Sequence, residues 1–559
     1  MSATIAVLLI LLVAFVVFIV QMHKAQARKR LLAELTSSFG KPPAVNEDGK
    51  PECLENIESI NRYAEYIEES EPTPWRLDAT TWNDLDMDKV FGRINICRSS
   101  IGEEYLYNCL HELQRNDKPL LAREKLIQYL GANPDERVAM QMALSSVGKE
   151  NFNGLVRFIF DANERFLKYK HVYTGLSLAP LLAAAILLVH VPVGFFLVLA
   201  SFIANIAVHH KVKNELESDM PAVEYLHGML VCCKRLCAMR NTDGLPVFDT
   251  LREIFPKFKS VMHRLPASQN KGTMMDFDFI VDYVRIAFLM DVRNFNKLVT
   301  AIKTHNRDFH GLFKAVGEIE TAICVLNFRK TLPVHCTPTF TADTAIIFED
   351  LIHPLLNQPV ANDGEITVDS LLTGSNASGK STFVKALALG GVLAQTLYTC
   401  AATRFTARFS WILTSMTMRD DIYGGDSYFI VEIKSLRRIV DRVREHPCTC
   451  YIDEILRGTN TVERIAASAS MLTWLHKQNC LCIAATHDIE LTHLLAETHE
   501  NYHFREQVTT AGVVFDYKLK KGPSTTRNAI KLLEVMDFAP EIVSKAQEMA
   551  KGYDEKQKW

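Results

Sequence analysis

The apolar positions of this chain follow three different rhythms. From Ala3 to Val20 (ATIAVLLILLVAFVVFIV) no residue is charged, and Lys24, Arg28, Lys29 and Arg30 follow at once. A helix of that length spans about 27 Å, close to the hydrocarbon thickness of a bilayer. A second uncharged run, His171 to His210, covers 40 residues and is divided by the turn signal His190-Val191-Pro192-Val193-Gly194. Its length predicts two crossings of about 30 Å each. From about Asp84 to Asn327, outside that run, apolar residues recur at three- and four-residue spacing, as in Glu103–Leu113 and Phe295–His305, and predict long helices. From Ile346 the rhythm changes to short β-rich runs separated by helices: Ile366–Leu372, Thr449–Ile452 and Leu481–Ala485. Such alternation predicts a mostly parallel sheet covered by helices.

Charge decides the expected topology. Lys168 and Lys170 precede the 40-residue run and Lys211 and Lys213 follow it, so a hairpin that leaves and returns satisfies the positive-inside rule. The basic cluster behind the first run places the following chain in the cytoplasm. A cleaved signal peptide is the rival for that run, with Ala25-Gln26-Ala27 imitating a cleavage site. No basic residue precedes the run, however, and it is longer than a signal core, so an uncleaved anchor is expected. The rival for the second run is a helical hairpin buried in a soluble core. The expectation is a multi-pass protein of the cell (inner) membrane with its large segments in the cytoplasm.

The remaining composition narrows the class. The 559 residues carry 62 Lys+Arg against 65 Asp+Glu, a net charge of −3, which excludes a globally basic nucleic-acid binder. An apolar fraction of 48% with 23% charged residues excludes a disordered chain. The thirteen cysteines contain no C-x-x-C pair, and Cys448, Cys450, Cys480 and Cys482 alternate within apolar runs, as small hydrophobes in buried strands do. Nine acidic against two basic residues between Asn46 and Pro72, among several prolines, predict a solvated acidic linker with some helix. The predicted order is an anchor with its basic flank (1–30), the acidic linker (31–83), and a first part of a helical core (84–170). The membrane hairpin (171–210), a second helical part (211–340) and an α/β domain (341–559) follow.

The chemistry is concentrated in the last part. Gly374-Ser375-Asn376-Ala377-Ser378-Gly379-Lys380-Ser381 matches G-x-x-x-x-G-K-S/T, follows the strand-like ITVDSLL and opens a helix at Thr382. Glycines let backbone N–H groups turn toward phosphate, and the helix N-terminus adds its positive end. Lys380 would reach the β- and γ-phosphates of ATP, and the Ser381 hydroxyl would hold Mg²⁺. About 70 residues later the apolar run Cys450-Tyr451-Ile452 ends in Asp453-Glu454. Asp453 suits the Mg²⁺ shell and Glu454 can polarise the attacking water. A third strand, LCIAA, ends in Thr486-His487-Asp488, where His487 could sense the γ-phosphate.

The runs TGSNASGKSTF, Gly424–Leu436 (GGDSYFIVEIKSL), Tyr451–Glu463 (YIDEILRGTNTVE) and Ala484–Leu494 (AATHDIELTHL) resemble the ATPase domain of the MutS family. His353-Pro354 and Asn362-Asp363 stand where that family has its His-Pro and Asn-Asp elements, and Lys520–Ala550 resembles its closing helical segment. SSIGEEYLYNCL and VGEIETAICVLNF are similar to the start and end of its helical core and lever. The resemblance implies an α/β P-loop NTPase domain of the ABC/MutS type preceded by a mainly α-helical core and lever domain, here carrying transmembrane helices. It also implies a homodimer in which Ser427 contacts the γ-phosphate held by the partner, and it suggests DNA as client. Ser375, Ala377-Ser378-Gly379, Tyr428 and Glu463-Arg464 depart from the family pattern at Pro, Met-Gly-Gly, Thr and Asp-Gly, and none of these removes a phosphate or metal ligand. About 55 residues separate the first apolar run from the helical core, too few for the family's mismatch-reading domain, so direct mismatch reading is not expected. The alternative is an ATP-driven remodelling module acting on membrane partners without DNA. An ABC transporter is a third and weaker reading, because three spans before a single nucleotide domain are too few for a pathway.

Overall fold

The computed structural model describes the chain except for residues 1, 74, 161–169, 217–218, 263–285, 375–377, 417–427, 458, 510–511, 525–529, 531–532, 535, 537 and 557–559. Helices run up to Thr331 and strands begin at Thr339. The first apolar run lies in one long helix, Ser2–Ser38, whose far end docks on the helical half. There Leu35 is buried, Glu34 pairs with Arg98 at 2.6 Å, and the Arg137 guanidinium lies 3.5 Å above the Phe39 ring.

The acidic stretch holds the helix expected within it, but that helix is packed rather than solvated on all sides. Ile57–Ser70 is a helix whose Ile60, Tyr63, Ala64 and Ile67 form one buried face against the helix Ser100–His111. Glu58, Glu65, Glu68 and Glu69 face water. The helical spacing of its few apolar residues outweighs the excess of charge.

The centre of the helical half is the 26-residue helix Asn306–Thr331, packed against Ser100–His111, Lys118–Ala132 and Pro246–Ile254. Ser99 caps Ser100–His111 by accepting from the Gly102 N–H at 3.1 Å. A side chain at position 102 would collide with Glu320, whose carboxylate accepts from Arg98 and Ser99 N–H at 3.1 and 3.3 Å. Glycine there is what brings the two helices into contact.

Lys170–Val189 and Val191–Leu216 form the expected antiparallel hairpin, turning at His190. Its side chains do not face a core. Only 17% and 11% of its two apolar stretches are buried, and Leu182, Leu188, Val189, Phe195 and Phe196 stand exposed. The hairpin is therefore not a buried element of this chain's own core.

The C-terminal part holds two larger sheets. β1 (Thr339–Phe340), β5 (Arg404–Ala407), β2 (Ile346–Leu351) and β3 (Asn362–Ile366) form a mixed sheet in that order. The main sheet runs β12 (Lys520–Lys521), β9 (Glu500–His503), β4 (Ser370–Thr373), β8 (Cys480–Ala485), β7 (Cys448–Asp453) and β6 (Trp411–Ser415). β9, β4, β8, β7 and β6 are parallel, and β12 is antiparallel. β10 (Glu506–Thr509) and β11 (Gly512–Phe515) make a separate hairpin. The run Ile366–Leu372, which reads as one strand, is the end of β3 and the start of β4 in different sheets, because the chain turns at Asp369. That aspartate is buried and accepts from Cys482 N–H and His476. Cys448 faces Cys480 and Cys450 faces Cys482 across β7 and β8, all buried, and all thirteen cysteines are free thiols.

The two halves meet through buried charge. Arg329 binds both Glu124 oxygens at 3.1 and 2.6 Å, and also Thr399 Oγ1 and the Tyr398 carbonyl at the end of the helix Lys380–Leu397. Arg123 binds Glu318 at 2.7 and 2.8 Å and reaches the Thr396 carbonyl at 2.5 Å.

Two other carboxyls in the helical half have no such arginine clasp among the described residues. Burial pushes Glu104 up to about 8, with the Asn153 hydrogen bond opposing and the Glu103 charge adding to it. Burial likewise pushes Glu320 up to about 7, against its N–H donors and Lys149. Both values exceed the ordinary 4.5, so their stabilisation is complete below that value and is lost as pH rises through about 7 and 8. A tenfold difference in proton affinity between the folded and unfolded chain is worth about 1.4 kcal/mol. Denaturant unfolding should therefore show stability falling between about pH 5 and pH 8. Glu104→Gln should make that fall shallower, and an unchanged slope in the variant would contradict the assignment.

Candidate nucleotide site

β4 delivers the chain to Gly374 at the C-terminal edge of the parallel sheet, and the helix Lys380–Leu397 starts just beyond. Gly379 has φ of +96°, and a Cβ there would lie 2.9 Å from the Tyr517 ring. Only glycine fits a left-handed turn beneath that ring. Lys380 is 2% exposed and its Nζ donates to the Gly374 carbonyl at 2.6 Å, so the ammonium folds back over the loop. Ser378 is buried, Ser381 is half-buried and Thr382 is exposed on the first helical turn. Ser375, Asn376 and Ala377 lie outside the described residues.

Register explains the acidic end. β7 and β8 pair in parallel with Asp453 opposite Ala485, so Glu454 and His487 emerge side by side. Glu454 N–H donates to the Ala485 carbonyl at 2.9 Å, and Glu454 Oε1 lies 2.6 Å from His487 Nε2. Arg457 Nε holds the other oxygen at 2.5 Å. Burial raises the Glu454 pKa, but the His487 hydrogen bond and the charges of His487, Arg457 and Lys380 outweigh it. The carboxyl is therefore held below its ordinary value and is ionised at neutral pH. Asp453 is 5% exposed, and its Oδ1 has no hydrogen-bond partner among the described residues. An unpaired buried carboxylate oxygen at this edge is a fitting ligand for a hard cation. Among the described residues no group of three or more His, Cys, Asp and Glu could hold a metal alone. Mg²⁺ takes one or two protein oxygens and completes its shell with water and phosphate.

Three supporting contacts were not singled out by sequence reasoning. Arg464 clasps Asp488 at 2.6 and 2.9 Å and so fixes the residue after His487. Glu432, on the helix Tyr428–Arg442, accepts from the N–H groups of Leu456 and Arg457. Asn362 donates to the Tyr517 carbonyl at 3.0 Å and accepts from Leu519 N–H at 2.8 Å, which seats the Tyr517 ring over Gly379. Arg457, Arg464 and Glu432 all stand in or beside the runs that carry the family resemblance, and only their contacts distinguish them from solvated surface charges. Beside Gly379 and Thr382 a cavity of about 350 Å³ is lined by His353, Asn362, Phe504 and Tyr517. Burial lowers the His353 pKa to about 4, with Lys385 adding to the shift and Asp86 opposing it, so this imidazole is neutral. Ser427 lies outside the described residues, and the helix that follows it begins at Tyr428.

The C-terminal third matches the family described as MutS domain V over residues 370–554. A DNA mismatch repair protein MutS from Natronomonas pharaonis is 31% identical over 250 residues, 43% of this chain and 29% of that protein. The human MutS protein homolog 4 is 32% identical over 273 residues, 45% of this chain and 28% of its own length. A DNA mismatch repair protein MutS from Petrotoga mobilis is 28% identical over 361 residues, 62% of this chain and 42% of that protein. The chain thus spans less than half the length of each of these relatives. Residues 370–554 are therefore a MutS domain V, the part of the chain that it shares with proteins of the MutS family.

Proposed function

We propose that this chain is a membrane-anchored, Mg²⁺-dependent ATPase that works as an ATP-driven dimer switch. The observation that carries the reading is the juxtaposition at one sheet edge of the Gly374–Ser381 loop, the unpaired Asp453 oxygen and the ionised Glu454 braced by His487 and Arg457. In this mechanism Lys380 leaves the Gly374 carbonyl for the β- and γ-phosphates, while backbone N–H groups of the loop and the helix N-terminus carry the remaining charge. Ser381 and Asp453 would hold Mg²⁺, which neutralises charge on the phosphates. Glu454 orients the attacking water and accepts its proton, and His487 keeps that carboxylate facing the γ-phosphate. The cavity beside Gly379, with the neutral His353 ring and Tyr517, suits the base and ribose. Ser427 of a second copy would complete the site, so that ATP holds two copies together and hydrolysis releases them.

The exposed apolar hairpin and the long N-terminal helix support three membrane spans, with the ATPase domain in the cytoplasm. DNA is the client in the first reading, because the relatives named as mismatch repair proteins share this domain. The second reading makes membrane partners the client without DNA. What favours it is the acidic surface of Ile57–Ser70, which repels phosphate, in a helical half that also bears the hairpin.

Purified full chain in detergent should hydrolyse ATP only with Mg²⁺, and Lys380→Ala and Glu454→Gln should each lower kcat by about 100-fold or more. Unchanged rates in both variants would overturn the catalytic assignment. A DNA titration over several salt concentrations separates the clients, since binding through about six phosphate contacts gives a log–log slope near −5. No binding at low salt, with or without ATP, selects the remodelling reading. Alkaline carbonate should leave the protein in the membrane pellet, and release into the supernatant would exclude the spans.

A further inference from the structure

The segment that follows β7 has an unusual backbone. Glu454 and Leu456 both occupy the left-handed region, at φ of +55° and +58°, where bulky residues are rarely found. Such conformations persist only when their surroundings over-determine them. On one side the restraint is the main-chain bond from Glu454 N–H to Ala485 on β8. On the other side Glu432 Oε1 accepts from Leu456 N–H and, at 3.4 Å, from Arg457 N–H, and Ser468 Oγ donates to the Ile455 carbonyl at 3.5 Å.

Glu432 is well placed to transmit movement. It is 2% exposed and sits on the helix Tyr428–Arg442, which begins immediately after Ser427. The same helix is pinned elsewhere by Ser435 to Ser415 Oγ at 3.1 Å, and by Arg438 to the Thr414 carbonyl and to Asp78 of the helical half. Arg457, whose backbone Glu432 holds, is the residue that clasps Glu454 Oε2 at 2.5 Å. A shift of this helix therefore moves the peptide that carries the clasp of the water-orienting carboxylate. Burial raises the Glu432 pKa, with the Leu456 and Arg457 N–H groups and the Arg457 charge opposing and the Glu454 charge adding to it.

We propose that Glu432 is a positioning residue that couples the Tyr428–Arg442 helix to Glu454 by holding the segment in which Glu454 and Leu456 are left-handed. The inference rests on the ATPase reading above and goes beyond it by assigning the residue that holds the clasp of the hydrolytic carboxylate in place.

The test measures kcat, affinity for a fluorescent ATP analogue and thermal midpoint on the full chain in detergent. Glu432→Ala should lower kcat roughly 10- to 100-fold, as misplacement of a positioned group does. Its nucleotide Kd should stay within about twofold, since the phosphate loop is untouched. Glu432→Gln keeps an acceptor for both N–H groups and should retain a kcat roughly tenfold above that of Glu432→Ala. Adding Leu456→Gly to Glu432→Ala should restore about fivefold or more of the lost rate, because glycine enters the left-handed region without help. A general folding defect would lower affinity and thermal midpoint together and would not be rescued at Leu456, and that outcome overturns the proposal. So does an unchanged kcat in Glu432→Ala when the wild type is active. A wild type without ATPase activity overturns the ATPase reading, and this inference with it.

Discussion

Two buried arginines join the halves of this molecule, and the behaviour proposed for it depends on them. Arg123 and Arg329 come from different helices of the helical half, and both end on carbonyls at the C-terminal end of the phosphate-loop helix. Each is matched by its own carboxylate, Glu318 or Glu124, so neither charge is left uncompensated in a region with little water. Breaking one such pair leaves a buried charge alone, which is far more costly than the pair is stabilising. The joint is therefore stiff, tying the end of the Lys380–Leu397 helix to Asn306–Thr331.

That stiffness gives the other contacts their meaning. Asn306–Thr331 also carries Glu320, which holds the start of Ser100–His111, and Asn327, which accepts from Gly40 N–H and donates to the Lys41 carbonyl. The end of the Ser2–Ser38 helix is thus tied to the same rod that meets the phosphate-loop helix. On the opposite side Asp86 pairs with Lys385, one turn past Ser381. An apolar helix and a phosphate loop that are remote in sequence are connected through two or three side chains.

Much of the site is legible in the linear chain, for a simple reason. Phosphate and Mg²⁺ demand glycine, lysine, serine and carboxylates at fixed spacing along strand, loop and helix, and such spacing survives in a string of letters. The hairpin is legible on the same terms, because forty uncharged residues divided by a turn signal show its two helices in the string itself. Composition misleads where spacing should be weighed instead. Nine carboxylates make residues 46–72 resemble a linker, although Ile60, Tyr63, Ala64 and Ile67 already have the period of a packed helix. The run Ile366–Leu372 misleads in the opposite way, since uniform β propensity hides a change of sheet at Asp369.

By itself the sequence determined which residues could meet a nucleotide, and which stretches could not remain in water unless buried. Those are properties of local composition and of short-range geometry. Tertiary structure alone decided that Arg457 and His487 brace Glu454, that Arg464 fixes Asp488, and that Glu432 holds two N–H groups of a strained loop. A charged side chain has the same letter whether it is solvated or buried. Its role is set by the partner that the fold brings to it, and in all of these cases but the Arg457 clasp the partner comes from another strand end or another helix, at a distance in sequence that no local pattern encodes.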